Sequence, residues 1–371
     1  MKLLFFIGQL SGGGAERSLT TIASELARRG HEVTISVNKQ MMVFEPSPGV
    51  SVVYAKQDKT PTKGNGIIKS IKQFRNYLQY FPYTKKVILE VKPDVIVTFL
   101  WCNLLQILLY HKSIPVITSE RNAFDRKLGF IYKVNRFLLN KHVDCVTVQT
   151  PFDKGYATAK HLKNTIIMPN PLTWEVLDET EYEARFKERR NLLACGRVDQ
   201  WEIKGFDLLI KAFASIADKY PGWMLDIAGK GSEKNIAFLK NIAKANKVDE
   251  RIRFLGFQTN VKETMINHSV FVLSSRTEGF PNVLTEAMSV GTPAISYDRL
   301  ANSIVLDSVD GLLVKDKSVK ELGEAMSHLM EDENIRFDFG KNALRNVQRF
   351  STGRIVDKWE KLFISLAQID Q

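Results

Sequence analysis

No apolar run in this sequence reaches the roughly 18 residues that a membrane-spanning helix needs. The nearest approach, Val95 to Tyr110, is interrupted by Thr98, Asn103 and Gln106. Cysteine is scarce. Cys102, Cys145 and Cys195 are far apart and odd in number, which argues against a disulfide framework and fits reduced thiols in a cytoplasmic chain. No Cys/His group has metal-ligand spacing, and no Asp-x-Asp triplet stands at a strand end; Glu331-Asp332-Glu333 reads as a solvated helix cap. Neither a metal nor a cofactor is expected. Helix-turn-helix, finger and aromatic RNP patterns are missing too, so nucleic acid is not an expected partner. Met1–Gly8 is too short for a secretory signal and reads as a first strand.

What is present is an ordinary folded composition, 44% apolar and 25% charged over 371 residues. That length favours two domains. The net charge of +11 needs a target. Eight basic residues between Lys56 and Lys86 face one acid, Asp58, with Phe74, Tyr77, Tyr80, Phe81 and Tyr83 interleaved. A second basic stretch runs from Arg121 to Lys141 among Phe124, Phe130, Tyr132 and Phe137. Such mixtures suit peripheral docking on an anionic membrane face; they equally suit solvated helix faces around core aromatics.

Strands and helices alternate along the chain. Leu3–Gly8, Glu32–Val37, Val95–Thr98, Val116–Ser119 and Cys145–Gln149 read as strands, with a helix over Ala15–Arg29. The pattern breaks at Met168-Pro169-Asn170-Pro171, a linker signal, and then restarts. Strands are expected at Asn191–Cys195, Trp223–Ala228, Ile252–Leu255, Val270–Leu273, Ala294–Ile295 and Gly311–Val314, with helices between them. This is the grammar of an α/β chain with doubly wound parallel sheets. The expected layout is two Rossmann-like domains facing a central cleft: 1–170, 171–350, and a final helix in 351–371 crossing back to the first domain. Ligands in such sheets sit at the C-terminal ends of the strands.

The stretch from Ser275 to Met288 carries the strongest chemical signal. It sets Glu278 and Glu286 eight residues apart around a Gly-Phe-Pro-Asn turn, after a strand and before a helix. Free N–H groups and the positive end of a helix at such a turn form a cradle for phosphate. A carboxylate can accept two hydroxyl hydrogen bonds, so one acid can serve a sugar and the other a ribose. That points to a nucleotide-sugar site. Gly12-Gly13-Gly14 end the first strand and let backbone approach a ligand closely. A dinucleotide fold is disfavoured, because Arg17 occupies the third glycine position and no acid closes the second strand, which ends Ser36-Val37-Asn38-Lys39. Arg197 and Lys204 follow the first strand of the second half, where two cations can hold a departing diphosphate.

Four patches in this order, Gly12-Gly13-Gly14-Ala15-Glu16, Gly196-Arg197 with Lys204-Gly205, Gly229-Lys230-Gly231, and Glu278 through Glu286, resemble glycosyltransferase family 4 over nearly the whole chain. The resemblance implies a GT-B fold and a metal-independent retaining transferase. It would move a hexose or N-acetylhexosamine from a nucleotide sugar, expected to be a UDP-sugar, to a glycan or lipid-linked oligosaccharide acceptor in surface-glycan synthesis. It implies that Arg197 and Lys204 hold the diphosphate, Glu278 meets the sugar hydroxyls and Glu286 meets the ribose. It implies further donor contacts from Gly13, Gly14, Gly231, Phe257, Gly279, Phe280, Asn282, Val283 and Leu284. The loop Val198–Ile203 is longer than the family's usual spacing, and Trp201 within it either borders the donor or packs on the surface. Arg121 stands where family members often carry a histidine that meets the donor sugar; it suits a donor or an anionic acceptor. A sugar-nucleotide epimerase or a phosphorylase on the same architecture, or a non-catalytic basic membrane-binding protein, are the alternatives.

Overall fold

The computed structural model describes residues 1–11, 13–55, 79–123, 133, 136, 139–159, 164–187, 189–298, 304–305 and 307–367. Most of the first basic-aromatic stretch, much of the second, and Gly12 lie outside the described residues. The chain forms two compact units, one of Met1–Thr173 with Thr352–Gln371 and one of Trp174–Ser351.

The first unit is built on a seven-stranded sheet in the order β3-β2-β1-β4-β5-β6-β7. Its strands are β1 (Lys2–Ile7), β2 (Glu32–Val37), β3 (Val50–Tyr54), β4 (Val95–Phe99), β5 (Val116–Ser119), β6 (Cys145–Val148) and β7 (Thr165–Ile167). Every pairing is parallel. A parallel strand covered on both faces reads as an apolar run instead of an alternation. Leu3, Leu4, Phe5 and Phe6 of β1 are accordingly all buried, each worth about 1.5–3 kcal/mol of apolar transfer. The helix Gly14–Arg28 lays Leu19, Ile22, Ala23 and Leu26 on its buried face, at the spacing of an amphipathic helix. Against it packs the last helix, Thr352–Ala367. Its Phe363 ring meets Phe5 edge-on at 6.4 Å, and Arg29 bonds Asp357 at 2.7 Å.

The second unit repeats the plan with six strands, β8 (Arg190–Cys195), β9 (Leu225–Ala228), β10 (Ile252–Gly256), β11 (His268–Leu273), β12 (Ala294–Tyr297) and β13 (Gly311–Val314). The order is β10-β9-β8-β11-β12-β13, again all parallel. In each sheet the chain starts near the middle, adds strands on one side and then crosses to the other. The resulting switch points lie between β1 and β4, and between β8 and β11. Crevices at such points receive ligands in open α/β sheets.

Two edge strands, β3 and β7, were not expected from the sequence. Most of β3 is only half-buried, and β7 has three residues, so neither offers a continuous apolar run. The boundary between the units, at Thr173/Trp174, falls just after the Met168–Pro171 segment, in which Met168 and Asn170 are buried.

Candidate active site

The second unit places Arg197 and Lys204 after β8 and Glu278 and Glu286 after β11, on the two sides of the β8/β11 switch point, while Gly231 and Phe257 follow β9 and β10. β8 ends at Cys195 and the chain passes through Gly196 to Arg197, which is exposed and makes no side-chain hydrogen bond or ion pair among the described residues. A short turn, Val198–Gln200, and a single helical turn, Trp201–Lys204, follow. Lys204 folds back across Gly196: a Cβ there would stand 3.1 Å from the Lys204 side chain. The lysine Nζ then donates to Glu278 Oε1 at 2.7 Å. Their side chains are 17% and 15% exposed, so the pair is shielded but still reachable.

Glycine is required where the two segments touch. Gly205 has φ +66, and a Cβ on it would lie 1.9 Å from the Ser274 carbonyl oxygen. Gly229 has φ +149, and its Cβ would meet the Gly196 carbonyl oxygen at 1.8 Å. A Cβ on Gly231 would stand 2.5 Å from the Val198 Cβ. Asp199 ties the turn down. It accepts from Ser232 N and Oγ at 2.8 and 2.7 Å and from Asn235 Nδ2 at 2.8 Å. These bonds hold its carboxyl down to about 2. Trp201 rests on Phe238 with ring centroids 4.6 Å apart and packs against the core, whereas Phe257 is 72% exposed beyond β10.

Beyond β11, Ser275 Oγ donates to the same Glu278 oxygen at 2.7 Å. The helix Asn282–Met288 then carries Glu286 into the interior, 4% exposed. Burial, with a smaller contribution from the Glu286 carboxylate, pushes the Cys195 thiol at the end of β8 up to about 12. The turn before this helix is a partial cradle. The amides of Asn282 and Leu284 donate to the carbonyls of Phe280 and Pro281, both at 2.9 Å. The expectation that Asn282 offers its N–H to phosphate is thereby corrected, because that N–H is already engaged within the turn. The amides of Gly279 and Phe280 make no such bond among the described residues. Phe280 itself is buried edge-on against Phe350, and Val283 is half-buried.

In the first unit, Gly13 adopts an extended conformation just before the helix that begins at Gly14. Arg121 follows β5 and is 8% exposed. Its Nε donates to Ser119 Oγ at 2.8 Å, and its Nη1 to Asn170 Oδ1 at 2.6 Å and the Met168 carbonyl at 3.3 Å. The guanidinium lies over Phe99, 4.7 Å from the ring centre. Nη2 is buried without a hydrogen-bond partner among the described residues. Burial lowers this arginine to about 9, against the opposing pull of the Glu120 charge, since desolvation disfavours the charged form. Next to it, Glu120 and Arg136 form a buried ion pair at 2.9 Å; burial pushes Glu120 up to about 7 against the pull of Arg136.

Sequence reasoning missed three groups. Ser275, Asp199 and the Arg276–Asp207 pair all fasten site residues, and Asp207 and Arg276 are 69 residues apart, too far for any local pattern. The sequence also gave no sign of the turn after β4, where Leu100, Trp101 and Asn103 all adopt positive φ near +56, +55 and +56. Left-handed Leu and Trp are uncommon and cluster at ligand-facing turns; this turn occupies the β1/β4 switch point. Among the described residues no group of three or more His, Cys, Asp and Glu is arranged to hold a metal. No helix there is long and apolar enough to cross a membrane.

Residues 178–346 match the family model described as glycosyl transferases group 1, and residues 12–172 match that of glycosyltransferase family 4. A Campylobacter jejuni protein named GalNAc-alpha-(1->4)-GalNAc-alpha-(1->3)-diNAcBac-PP-undecaprenol alpha-1,4-N-acetyl-D-galactosaminyltransferase is 28% identical over 369 residues, covering 98% of each chain. Among solved structures, a sucrose-phosphate synthase from Thermosynechococcus elongatus superposes with a TM-score of 0.79 at 18% identity, covering 99% of both chains. Anabaena HepE, solved in complex with UDP, gives 0.76 at 17%, covering 98% of this chain and 100% of its own. These neighbours share the GT-B fold of two Rossmann-like domains. The chain belongs to glycosyltransferase family 4.

Proposed function

We propose that this family 4 glycosyltransferase takes a hexosyl or N-acetylhexosaminyl group from a UDP-sugar and transfers it, with retention, to a lipid-linked glycan acceptor. The carrying observation is the Lys204–Glu278 pair at 2.7 Å at the β8/β11 switch point, with the Lys204 side chain against Gly196 and the exposed Arg197 next in the chain, without a side-chain partner among the described residues. A cation and a carboxylate there match the two ends of a donor, its diphosphate and its sugar. Arg197 and Lys204 stabilise the charge that develops as the bond from the anomeric carbon to the diphosphate oxygen breaks; a fixed donor of this kind is worth roughly 10²–10³ in rate. Glu278 accepts hydrogen bonds from the sugar hydroxyls, with Ser275 fixing one of its oxygens. Glu286 accepts from the ribose, and the Gly279 and Phe280 amides face phosphate. Phe257, exposed beyond β10, is assigned to the base.

The acceptor oxygen bonds to the anomeric carbon on the face the diphosphate leaves, and its proton passes to the departing diphosphate oxygen. Atoms and charge balance with no further reactant, so the reading invokes no metal. Gly13 and Gly14 at the β1/β4 switch point, and Arg121 through Nη2, are the first unit's candidates for ligand contact. The UDP and the lipid-linked acceptor are supported by the names of the relatives, and peripheral contact with an anionic membrane by the basic stretches, including the exposed Lys85 and Lys86.

A transfer assay tests the site. Glu278→Ala and Arg197→Ala are each expected to lower turnover by roughly 10²-fold or more while the folded state survives. Full activity in both variants would remove the assignment.

A further inference from the structure

Three consecutive residues join the two halves of the Lys204–Glu278 pair. Ser274 Oγ donates to the Lys204 carbonyl at 3.0 Å, and Ser275 Oγ donates to the Glu278 carboxylate at 2.7 Å. Arg276 does the most. Its backbone N–H donates to the Ile203 carbonyl at 2.7 Å. One end of its guanidinium donates to the Glu202 carbonyl. The fork also meets both carboxylate oxygens of Asp207, at 2.8 and 2.7 Å. Arg276 therefore holds the chain at residues 202 and 203, before Lys204, and at 207, after it.

This matters because a lysine reaches its target through a flexible four-carbon stem. The position of Nζ is only as well defined as the backbone that carries it. Here that backbone is one helical turn, Trp201–Lys204, too short to be stable alone. The glycine at 205 lets it lie flat against Ser274, but contact alone does not fix its register. A planar, bidentate Arg–carboxylate fork does, because it resists sliding and rotation together. The Asp207 and Arg276 side chains are 15% and 25% exposed, so the fork is shielded to much the same degree as the Lys204–Glu278 pair.

We propose that Arg276, acting through Asp207 and the 202–203 carbonyls, is a positioning residue that sets the Lys204–Glu278 geometry required for transfer. The inference rests on the reading that this pair serves the donor's diphosphate and sugar. Arg276 touches neither; it fixes the distance between the groups that do.

The test compares wild type with Arg276→Ala, Arg276→Lys, Asp207→Asn and the double variant Arg276→Ala/Asp207→Asn. Three quantities are read: the thermal midpoint, kcat with donor KM, and Kd for UDP against UMP (likewise GDP/GMP and ADP/AMP). Misplacement by about 1 Å costs on the order of 10²-fold, so Arg276→Ala is expected to lower kcat by about 10–100-fold. Its preference for the diphosphate over the monophosphate is expected to fall while monophosphate affinity holds. Arg276→Lys keeps the charge but cannot span three acceptors, and is expected to recover little. The double variant is expected to be no worse than Arg276→Ala, since both break one device.

If all four variants keep wild-type kcat and diphosphate preference and lose only thermal stability, the pair is a fold staple and the proposal is overturned. Should Arg276→Ala fail to fold, Arg276→Lys and Asp207→Asn carry the same reading. The two levels are separable. If Lys204→Ala and Glu278→Ala lose transfer but the Arg276 series does not, only this inference falls. If Lys204→Ala and Glu278→Ala are themselves active, or no diphosphate binds wild type, the functional reading falls and takes this inference with it.

Discussion

Arg121, two residues past the end of β5, and Lys204, at the end of the helical turn that follows β8, are both cations on the C-terminal side of a parallel strand, and the two are paired in opposite ways. Arg121 hydrogen-bonds to neutral acceptors, Ser119, Asn170 and the Met168 carbonyl, with a ring beneath it and the Glu120 charge near it. Arg189 in the second unit is built alike: buried, donating to the carbonyls of Val290 and Gly291 and to Thr292, over the Tyr182 ring, and lowered by burial to about 10. Lys204 instead faces a carboxylate across a short gap that solvent reaches in part. Neutral, buried acceptors fasten a cation into the fold. A half-open ion pair leaves both charges able to exchange partners when a ligand arrives. Charge at a strand end therefore says less about function than what the charge is paired with.

The sharpest way to break this comparison is stability. Arg121→Lys keeps the charge but cannot satisfy Ser119, Asn170 and Met168 together, and leaving buried partners unmet costs about 1–3 kcal/mol. A fall in melting temperature of roughly 2–4 °C per kcal/mol is expected for units of this size. Lys204→Met removes one donor from Glu278, which keeps the bond from Ser275, and is expected to cost less, about 1 kcal/mol. Thermal unfolding of both variants checks the order; a larger loss in Lys204→Met would reverse the assignment of roles.

A smaller effect separates framework from chemistry within the second unit. Three hydrogen bonds hold Asp199 at about 2 in the folded protein, against an ordinary 3.8. The unfolded chain therefore binds more protons between those values, and stability rises with pH there. The contribution is present above about 4 and is lost as the pH falls toward 2. Acid unfolding of Asp199→Asn should lack this component, with a shallower dependence of stability on pH over that window. An unchanged slope would mean that Asp199 does not tether the Arg197 turn in solution.

The sequence made the sheets legible because buried parallel strands are written as apolar runs. β2, β5 and β13 end where the pattern places them. The edge strands β3 and β7 escaped because half-exposed or three-residue strands carry no such run. Of the site, the residue types and their order were readable, since Glu278, Glu286, Arg197 and Lys204 sit in local motifs. The partner of each was not. Nothing in the residues around Arg121 announces that Asn170 will take its Nη1, and the Asn282 amide is spent on a turn that only backbone geometry reveals. The Arg276–Asp207 fork joins segments whose nearness is a property of the β8/β11 crossing. Identity is local, while pairing is a consequence of topology.

The most direct test is calorimetric titration of UDP, GDP and ADP into wild type and into Arg197→Ala/Lys204→Ala. Wild type should bind one diphosphate, UDP, and the double variant should lose at least about tenfold in affinity, the scale of charge-assisted bonds to phosphate, with UMP affinity unchanged. Equal UDP affinity in both proteins would contradict the placement of the donor diphosphate at the β8/β11 switch point.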